Sequence, residues 1–214
     1  SNGEWKQIGS SQPVTGTAWG LKGNAGTDTS INFIGTTDGK ALIFKINSQR
    51  AGLIDNTRQN TALGYLAMPF STGGYFNTAI GADALRQFKF GNYNTVIGVH
   101  AANDLKIGED NVVLGGFALS VDTASSGTVA IGAGALSFNQ ARFGNTAVGR
   151  AALYYNTRND LGPIASTEGL HNTALGYATL RDNRSGSGAV AIGYSAAVSD
   201  TKAEGIIAIG RGSL

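Results

Sequence analysis

A short apolar run that ends in glycine recurs along most of this chain. A branched aliphatic residue stands directly before each glycine, and Ala or Val stands one position earlier. The glycines recur at a constant 17-residue spacing, which a single 27-residue interval interrupts. They are Gly64, Gly81, Gly98, Gly115, Gly132, Gly149, Gly176, Gly193 and Gly210. A fixed short period predicts a solenoid in which each repeat forms one coil.

The residues before each glycine predict a short β-strand. Most repeats have a β-branched residue, a small residue and a branched aliphatic residue in this order, as in Thr78-Ala79-Ile80. Neighbouring side chains of a strand point to opposite faces, and both faces are restricted here. We therefore expect a parallel sheet that is covered on both sides. A second strand is expected after the glycine, where a small and a larger apolar residue recur, as in Ala84-Leu85.

Asparagine recurs four positions before the glycine. It is present as Asn60, Asn77, Asn94, Asn111, Asn145 and Asn172, and is replaced by Thr128, Ala189 and Ile206. A stacked ladder of side-chain amides is one explanation, and a turn residue with left-handed backbone is the other. The sequence leaves both open. The position directly after the glycine follows no rule and is predicted to face solvent.

The chain divides into an N-terminal region, a repeat region and an insertion within the repeat region. Residues 1–55 lack the repeat and are predicted to form an N-terminal β-hairpin cap, with Asp38-Gly39 as the turn between residues 31–37 and 40–46. Trp5 and Trp19 are expected to cover the open end of the coil, because a bare terminal coil exposes its backbone and core. Residues 56–214 carry the repeat, with an insertion at about residues 156–168.

Composition favours a thin fold that self-associates. Of 214 residues, 32 are Gly and none is Cys, and only 14% are charged and 8% aromatic. With few large side chains in each coil, stability depends on many small repeated contacts and on backbone ladders. The rows of Ala allow neighbouring chains to approach closely, so we expect self-association.

Charge and hydropathy narrow the possible partners. The formal net charge is only +2 and no basic stripe interleaved with aromatics occurs, which argues against nucleic-acid binding. No run of about 20 apolar residues predicts a membrane helix. The chain starts at Ser1 without a secretion signal and stops within a repeat, so we expect it to be a piece of a longer protein.

Several repeats resemble the YadA-type head of trimeric autotransporter adhesins. The segments that carry the resemblance are Asn77-Thr78-Ala79-Ile80-Gly81, Asn145-Thr146-Ala147-Val148-Gly149 and Ala189-Val190-Ala191-Ile192-Gly193-Tyr194-Ser195-Ala196. The similarity covers roughly residues 60–214 and implies a left-handed parallel β-roll that trimerises side by side. The chain departs from that family in its 17-residue period, since those heads commonly use a shorter one. Residues 32–40 and 47–52 resemble segments of phage-type tail fibres.

Enzymatic and ice-binding functions are weaker alternatives. His100 and His171 are expected at turns, and the chain has no Cys and no further His that could complete a metal-ligand set around either of them. A tailspike-like enzyme that degrades polysaccharides needs a carboxylate pair, for which the nearest candidates are Asp104, Glu109 and Asp110, or Asp160 and Glu168. An ice-binding row of Thr is interrupted at Val112, Val129, Val190 and Ile207. We predict no enzyme activity, no catalytic residues, no cofactor and no metal.

The sequence as a whole predicts an all-β, homotrimeric attachment fibre segment. The expected partners are a second and third copy of the chain and a glycan or protein receptor on a host or other cell surface. The expected location is extracellular, on a cell surface, a virion or an injection particle. The proposed ligand-binding residues lie in and around the insertion: Tyr154, Tyr155, Asn156, Arg158, Asn159, Asp160 and Glu168. A second candidate surface consists of Tyr65, Arg150, Tyr177, Tyr194 and Arg211.

Overall fold

A computed structural model describes residues 25–28, 30, 32–156 and 168–214. The chain divides into two compact units, residues 1–38 and 39–214. In the first unit the described residues form turns, bends and irregular backbone. All strands belong to the second unit, and the described part of the chain contains no helix. Trp5 and Trp19 lie outside the described residues, so their capping role stays a prediction.

Thirteen strands occur in the described residues, and they form one large sheet and one small one. They are β1 (Leu42–Ile46), β2 (Gln49–Asp55), β3 (Asn60–Leu63), β4 (Thr78–Ile80), β5 (Thr95–Ile97), β6 (Val112–Leu114), β7 (Val129–Ile131), β8 (Phe138–Asn139), β9 (Thr146–Val148), β10 (Tyr155–Asn156), β11 (Thr173–Leu175), β12 (Val190–Ile192) and β13 (Ile207–Ile209). The large sheet has the order β1-β2-β3-β4-β5-β6-β7-β9-β11-β12-β13, and β8 pairs with β10.

The nine strands of the large sheet from β3 to β13 are parallel, and they confirm the predicted solenoid with its 17-residue coil. Each residue pairs with its equivalent in the next coil, as Thr78 does with Thr95. The insertion does not disturb this register, because Thr146 pairs with Thr173 across the 27-residue interval. The stack of parallel strands is therefore continuous across the insertion.

The N-terminal hairpin lies later in the chain than the sequence analysis predicted. Strand β1 pairs with β2 in antiparallel fashion around Asn47 and Ser48, whose φ angles are +47° and +63°. The backbone bends at Asp38-Gly39, with φ of +70° at Gly39, but no strand precedes this bend among the described residues. A turn signal alone does not provide a pairing partner, whereas β2 is itself paired with β3. A capping function of this hairpin stays a prediction.

The Ala-Leu pair after each glycine belongs to a turn, so the prediction of a second strand there is wrong. In the pair Ala84-Leu85 both side chains are completely buried, and Leu85 has a φ angle of +50°. Consecutive residues of a strand alternate between its two faces, which excludes two successive inward side chains. The left-handed backbone at Leu85 allows the side chains of both residues of the turn to point into the interior.

The recurring asparagines form the predicted amide ladder. Asn77 donates from its backbone N and from Nδ2 to Oδ1 of Asn60, at 2.9 and 3.1 Å, and Asn94 repeats this arrangement on Asn77 at 3.0 and 2.8 Å. The Nδ2 of Asn77 also donates to the backbone carbonyl of Gly91 in the next coil, and equivalent bonds are formed by Asn60, Asn94, Asn111 and Asn172. The left-handed residue is the one before the asparagine, for example Phe76 at +60°. The alternative of a left-handed asparagine is therefore wrong.

Candidate functional surfaces

A row of aliphatic side chains runs along the outer face of the large sheet, beside a second row of Thr, Val and Ile. The residues directly before the glycines, which we call the aliphatic column, point away from the interior: Leu63, Ile80, Ile97, Leu114, Ile131, Val148, Leu175, Ile192 and Ile209. Leu114, Ile131 and Val148 are half-buried, and the exposed fractions of the others run from 36% at Ile80 to 58% at Leu63 and 66% at Ile209 at the two ends. The expectation of a sheet covered on both sides is thus wrong for the single chain, because only the inner residues, such as Ala79, are buried.

The insertion leaves the coil at a defined, clamped point. Asn156 is buried, and its Nδ2 donates to Oδ1 of Asn139 in the preceding coil and to the carbonyl of Gly169, both at 2.8 Å. In an uninterrupted coil the equivalent Asn183 donates to Gly186, only three residues further on. The same amide therefore closes the base of the insertion across thirteen residues.

The predicted ligand-binding residues occupy different environments around this base. Tyr155 is exposed, Tyr154 and Glu168 are half-buried, and Asn156 is committed to the interior ladder. Arg158, Asn159 and Asp160 lie outside the described residues. Because the side chain of Asn156 points inward, it holds the base of the insertion in position and does not face solvent.

An aromatic cluster at the insertion base was not anticipated. The ring of Phe138 lies 5.3 Å from those of Tyr154 and Tyr155, and the two tyrosine rings are 4.7 Å apart at 85°. Phe138 lies one coil before Tyr155 and pairs with it in the small sheet. The 17-residue spacing between Phe138 and Tyr155 is the sequence signal that connects them, but the predicted site includes only the tyrosines.

The second candidate surface is only partly brought together. Tyr177 and Tyr194 stack with ring centroids 5.2 Å apart and planes 8° from parallel, and the guanidinium of Arg211 lies 5.6 Å from the centre of the Tyr194 ring. Tyr65 is six coils from Tyr177, a separation of about 29 Å at the usual strand spacing. The position after the glycine faces outward, as predicted, at all these residues.

A buried carboxyl group lies in the solenoid interior. Asp122 is 2% exposed and accepts hydrogen bonds from Oγ of Ser125 at 2.6 Å, from the backbone N of Ala124 at 2.8 Å and from the amide of Asn139. Burial raises the pKa of Asp122 above its ordinary value, against the opposing effect of these hydrogen bonds. Because the carboxyl group is enclosed by these partners, its role is structural. Phe88 and Leu105 occupy the same position in earlier coils.

The two histidines lie where the coil changes direction, as expected from the sequence, and Asp160 lies outside the described residues. His100 and His171 have left-handed φ angles of +54° and +55°. The ring of His100 stacks on Phe117 at 5.1 Å, and its Nδ1 is 3.8 Å from Asp83. No group of three or more potential metal ligands occurs within residues 25–28, 30, 32–156 and 168–214. The absence of enzyme activity stays a prediction.

No protein-family model, curated protein or solved structure matches this chain. In the portion that the structure describes, no helix has the length and apolar character needed to cross a membrane. Function is therefore inferred from the exposed surfaces of the solenoid.

Proposed function

We propose that this chain is a segment of a homotrimeric attachment fibre that displays receptor-binding surfaces outside a cell or particle. The observation that carries the proposal is the aliphatic column on the outer sheet face. It runs along nine parallel strands without interruption, and every member is aliphatic. Large exposed apolar patches on a folded chain mark surfaces that bind a partner.

A second copy of the chain is the partner that fits this face best. The column repeats at the strand spacing of about 4.8 Å, so an identical column on another chain has the same spacing and matches it coil for coil. Flanking residues such as Thr78 and Val129 are half-buried and small enough to allow close approach. The resemblance to trimeric adhesin heads favours three chains around a common axis over two.

The insertion remains accessible in such an assembly. It follows Asn156, which is about half of a coil further along the chain than Val148 of the aliphatic column. The nine stacked strands give a rod about 40 Å long, and the insertion begins after β10, which does not belong to the large sheet. Loops on a repeat scaffold tolerate variation without disturbing the stack and often carry binding functions.

Two measurements test the proposal. Light scattering should give a mass three times the 21.9 kDa of one chain, and a monomer at micromolar concentration would contradict the trimer. Labelled chain should adhere to some members of a panel of bacterial and animal cells. Deleting residues 160–167 should leave the mass unchanged and weaken adhesion, whereas unchanged adhesion would place the receptor contact elsewhere.

A further inference from the structure

A strip of aromatic and charged side chains borders the insertion. Phe138, Tyr155 and Asp182 occupy the same position in three successive coils, and Arg181 is the neighbour of Asp182. The rings of Phe138 and Tyr155 stack at 5.3 Å with planes 28° apart. The backbone N of Tyr155 donates to the carbonyl of Arg181 at 2.8 Å, which fixes the two residues on adjacent coils. We call these four residues the coil strip.

At the charged end of the coil strip, Arg181 and Asp182 form a bidentate ion pair, which we call the Arg181–Asp182 fork. Arg181 donates from Nε to Oδ1 of Asp182 at 3.2 Å and from Nη2 to Oδ2 at 2.7 Å. The two hydrogen bonds fix the plane of the guanidinium relative to that of the carboxylate, and Nη1 takes part in neither bond. The hydrogen bond to Asp182 and the negative charge of its carboxylate raise the pKa of Arg181.

The chemistry of the coil strip matches that of a sugar. A pyranose has an apolar C–H face and a rim of hydroxyl groups, each of which both donates and accepts hydrogen bonds. Aromatic rings provide an apolar surface with defined geometry, a guanidinium only donates, and a carboxylate only accepts. Three coils span about 10 Å between the outer two at the strand spacing, which is close to the length of two linked hexoses.

A protein partner fits this surface less well. Stable protein interfaces bury roughly 800 Å² on each side around a fully desolvated centre, and the coil strip is one side chain wide on most coils. The extended apolar face of this chain lies elsewhere, on the aliphatic column. A narrow platform with a few precisely held polar groups is typical of small-ligand sites.

We propose that Phe138, Tyr155, Arg181 and Asp182 form a binding site for an oligosaccharide, with a sugar ring against the solvent side of the exposed Tyr155 and the half-buried Phe138, and its hydroxyls on the Arg181–Asp182 fork. This inference rests on the proposed attachment function and specifies its ligand class. It differs from the sequence-based prediction by including Phe138, Arg181 and Asp182 and by excluding Asn156 from direct contact.

The test uses the full chain on a printed array of neutral and acidic oligosaccharides. We expect binding to a subset of spots, reduced at least tenfold in Tyr155→Ala and Arg181→Gln. Two matched variants serve as controls. Tyr75→Ala removes a tyrosine outside both candidate surfaces, with an exposure of 49% against 40% for Tyr155, and Arg86→Gln removes an ion-paired arginine at the same repeat position, with 41% side-chain exposure against 45%. Both controls should bind like the parent chain.

Three results would overturn the inference: no binding to any spot, binding that survives both site variants, or equal loss in the controls. Circular dichroism and light scattering of each variant distinguish a lost site from a lost fold. If the chain is trimeric and adheres to cells treated with glycosidases but not to cells treated with protease, its receptor is a protein and only this inference fails. If the chain is monomeric and adheres to no cell, the proposed function fails as well.

Discussion

At the residue scale, two glycines with positive φ have different reasons to be glycine. Gly115 has a φ of +136°, and a Cβ there would lie 2.7 Å from the carbonyl carbon and oxygen of Gly132 in the next coil. Gly127 has a φ of +61°, and a Cβ at this residue would meet no atom within 4 Å. The first glycine is needed because two backbones nearly touch, and the second only because of its backbone conformation.

We expect Gly115→Ala to cost about 3 kcal/mol or more, since it combines backbone strain with a steric overlap that no side chain can relieve. Gly127→Ala should cost only about 1 kcal/mol, the usual penalty of a left-handed non-glycine residue. Urea unfolding of the two variants measures the difference. Equal losses would show that coil-to-coil contact at Gly115 is looser than the structure indicates.

A second prediction at this scale concerns the buried Asp122. Because its pKa is raised in the folded protein, its protonated form is favoured there, and its contribution to stability is present below the ordinary value of 3.8 and is lost as pH rises through the folded pKa. Asp122→Asn should therefore melt at a higher temperature than the parent at pH 7, with a difference that shrinks toward pH 4.

Asparagine fits this position, because Asn139, Asn156 and Asn183 occupy it in the following coils. The exposed Asp110 provides the control, and Asp110→Asn should change the melting temperature little at either pH. A parent chain that gains stability steadily from pH 4 to pH 7 relative to Asp122→Asn would show that hydrogen bonding outweighs burial at this carboxylate.

At the element scale, the amide ladder has one defect. The backbone N of Thr128 keeps the register by donating to Oδ1 of Asn111 at 3.1 Å, but a threonine cannot continue the chain of amides. Thr128 Oγ1 and Asn145 Nδ2 are buried and hydrogen-bond to nothing within the described residues. An unsatisfied buried polar group typically costs about 1–3 kcal/mol.

Thr128→Asn should therefore stabilise the chain by about 1–2 kcal/mol, because the new Oδ1 accepts from Asn145 and extends the ladder of side-chain amides from Asn60 to Asn145. Thr128→Val is the matched control, since it removes the unsatisfied hydroxyl but leaves Asn145 unpaired. Thermal unfolding should rank the asparagine variant above the valine variant. The reverse order would mean that the larger side chain does not fit the coil.

At the scale of the whole molecule, the aliphatic column determines assembly. Ile97 is 39% exposed in the single chain, so Ile97→Glu leaves the coil interior unchanged and places a charge on the outer sheet face. In the proposed trimer this charge is buried without a partner, which is strongly unfavourable. We expect Ile97→Glu to be a folded monomer by light scattering and circular dichroism.

Ser199→Glu places the same charge on an exposed residue outside the sheet strands and should leave the trimer intact. A trimeric Ile97→Glu variant would exclude the aliphatic column as the subunit interface. Loss of assembly in both variants would instead indicate general destabilisation by added negative charge.

The periodic part of this protein was predictable and the corners were not. The constant repeat length predicted the parallel strands and their register, since one residue type at one repeat position implies stacking of equivalent residues, as in Thr78 and Thr95. The Ala84-Leu85 turn was mistaken for a strand because the sequence does not reveal that two successive side chains point inward. The hairpin was misplaced because Asp38-Gly39 and Asn47-Ser48 are both good turn sequences, and only pairing with β2 selects one of them.

The sequence by itself determined the solenoid, its period and the location of the insertion, because these depend on local patterns repeated many times. Only the tertiary structure decided which side of each strand is buried. It showed that the aliphatic column faces outward, that Asn156 supports the insertion from within, and that Phe138 and Arg181 lie beside Tyr155. These features depend on how a closed coil divides its residues between interior and surface, and a linear pattern does not contain that division.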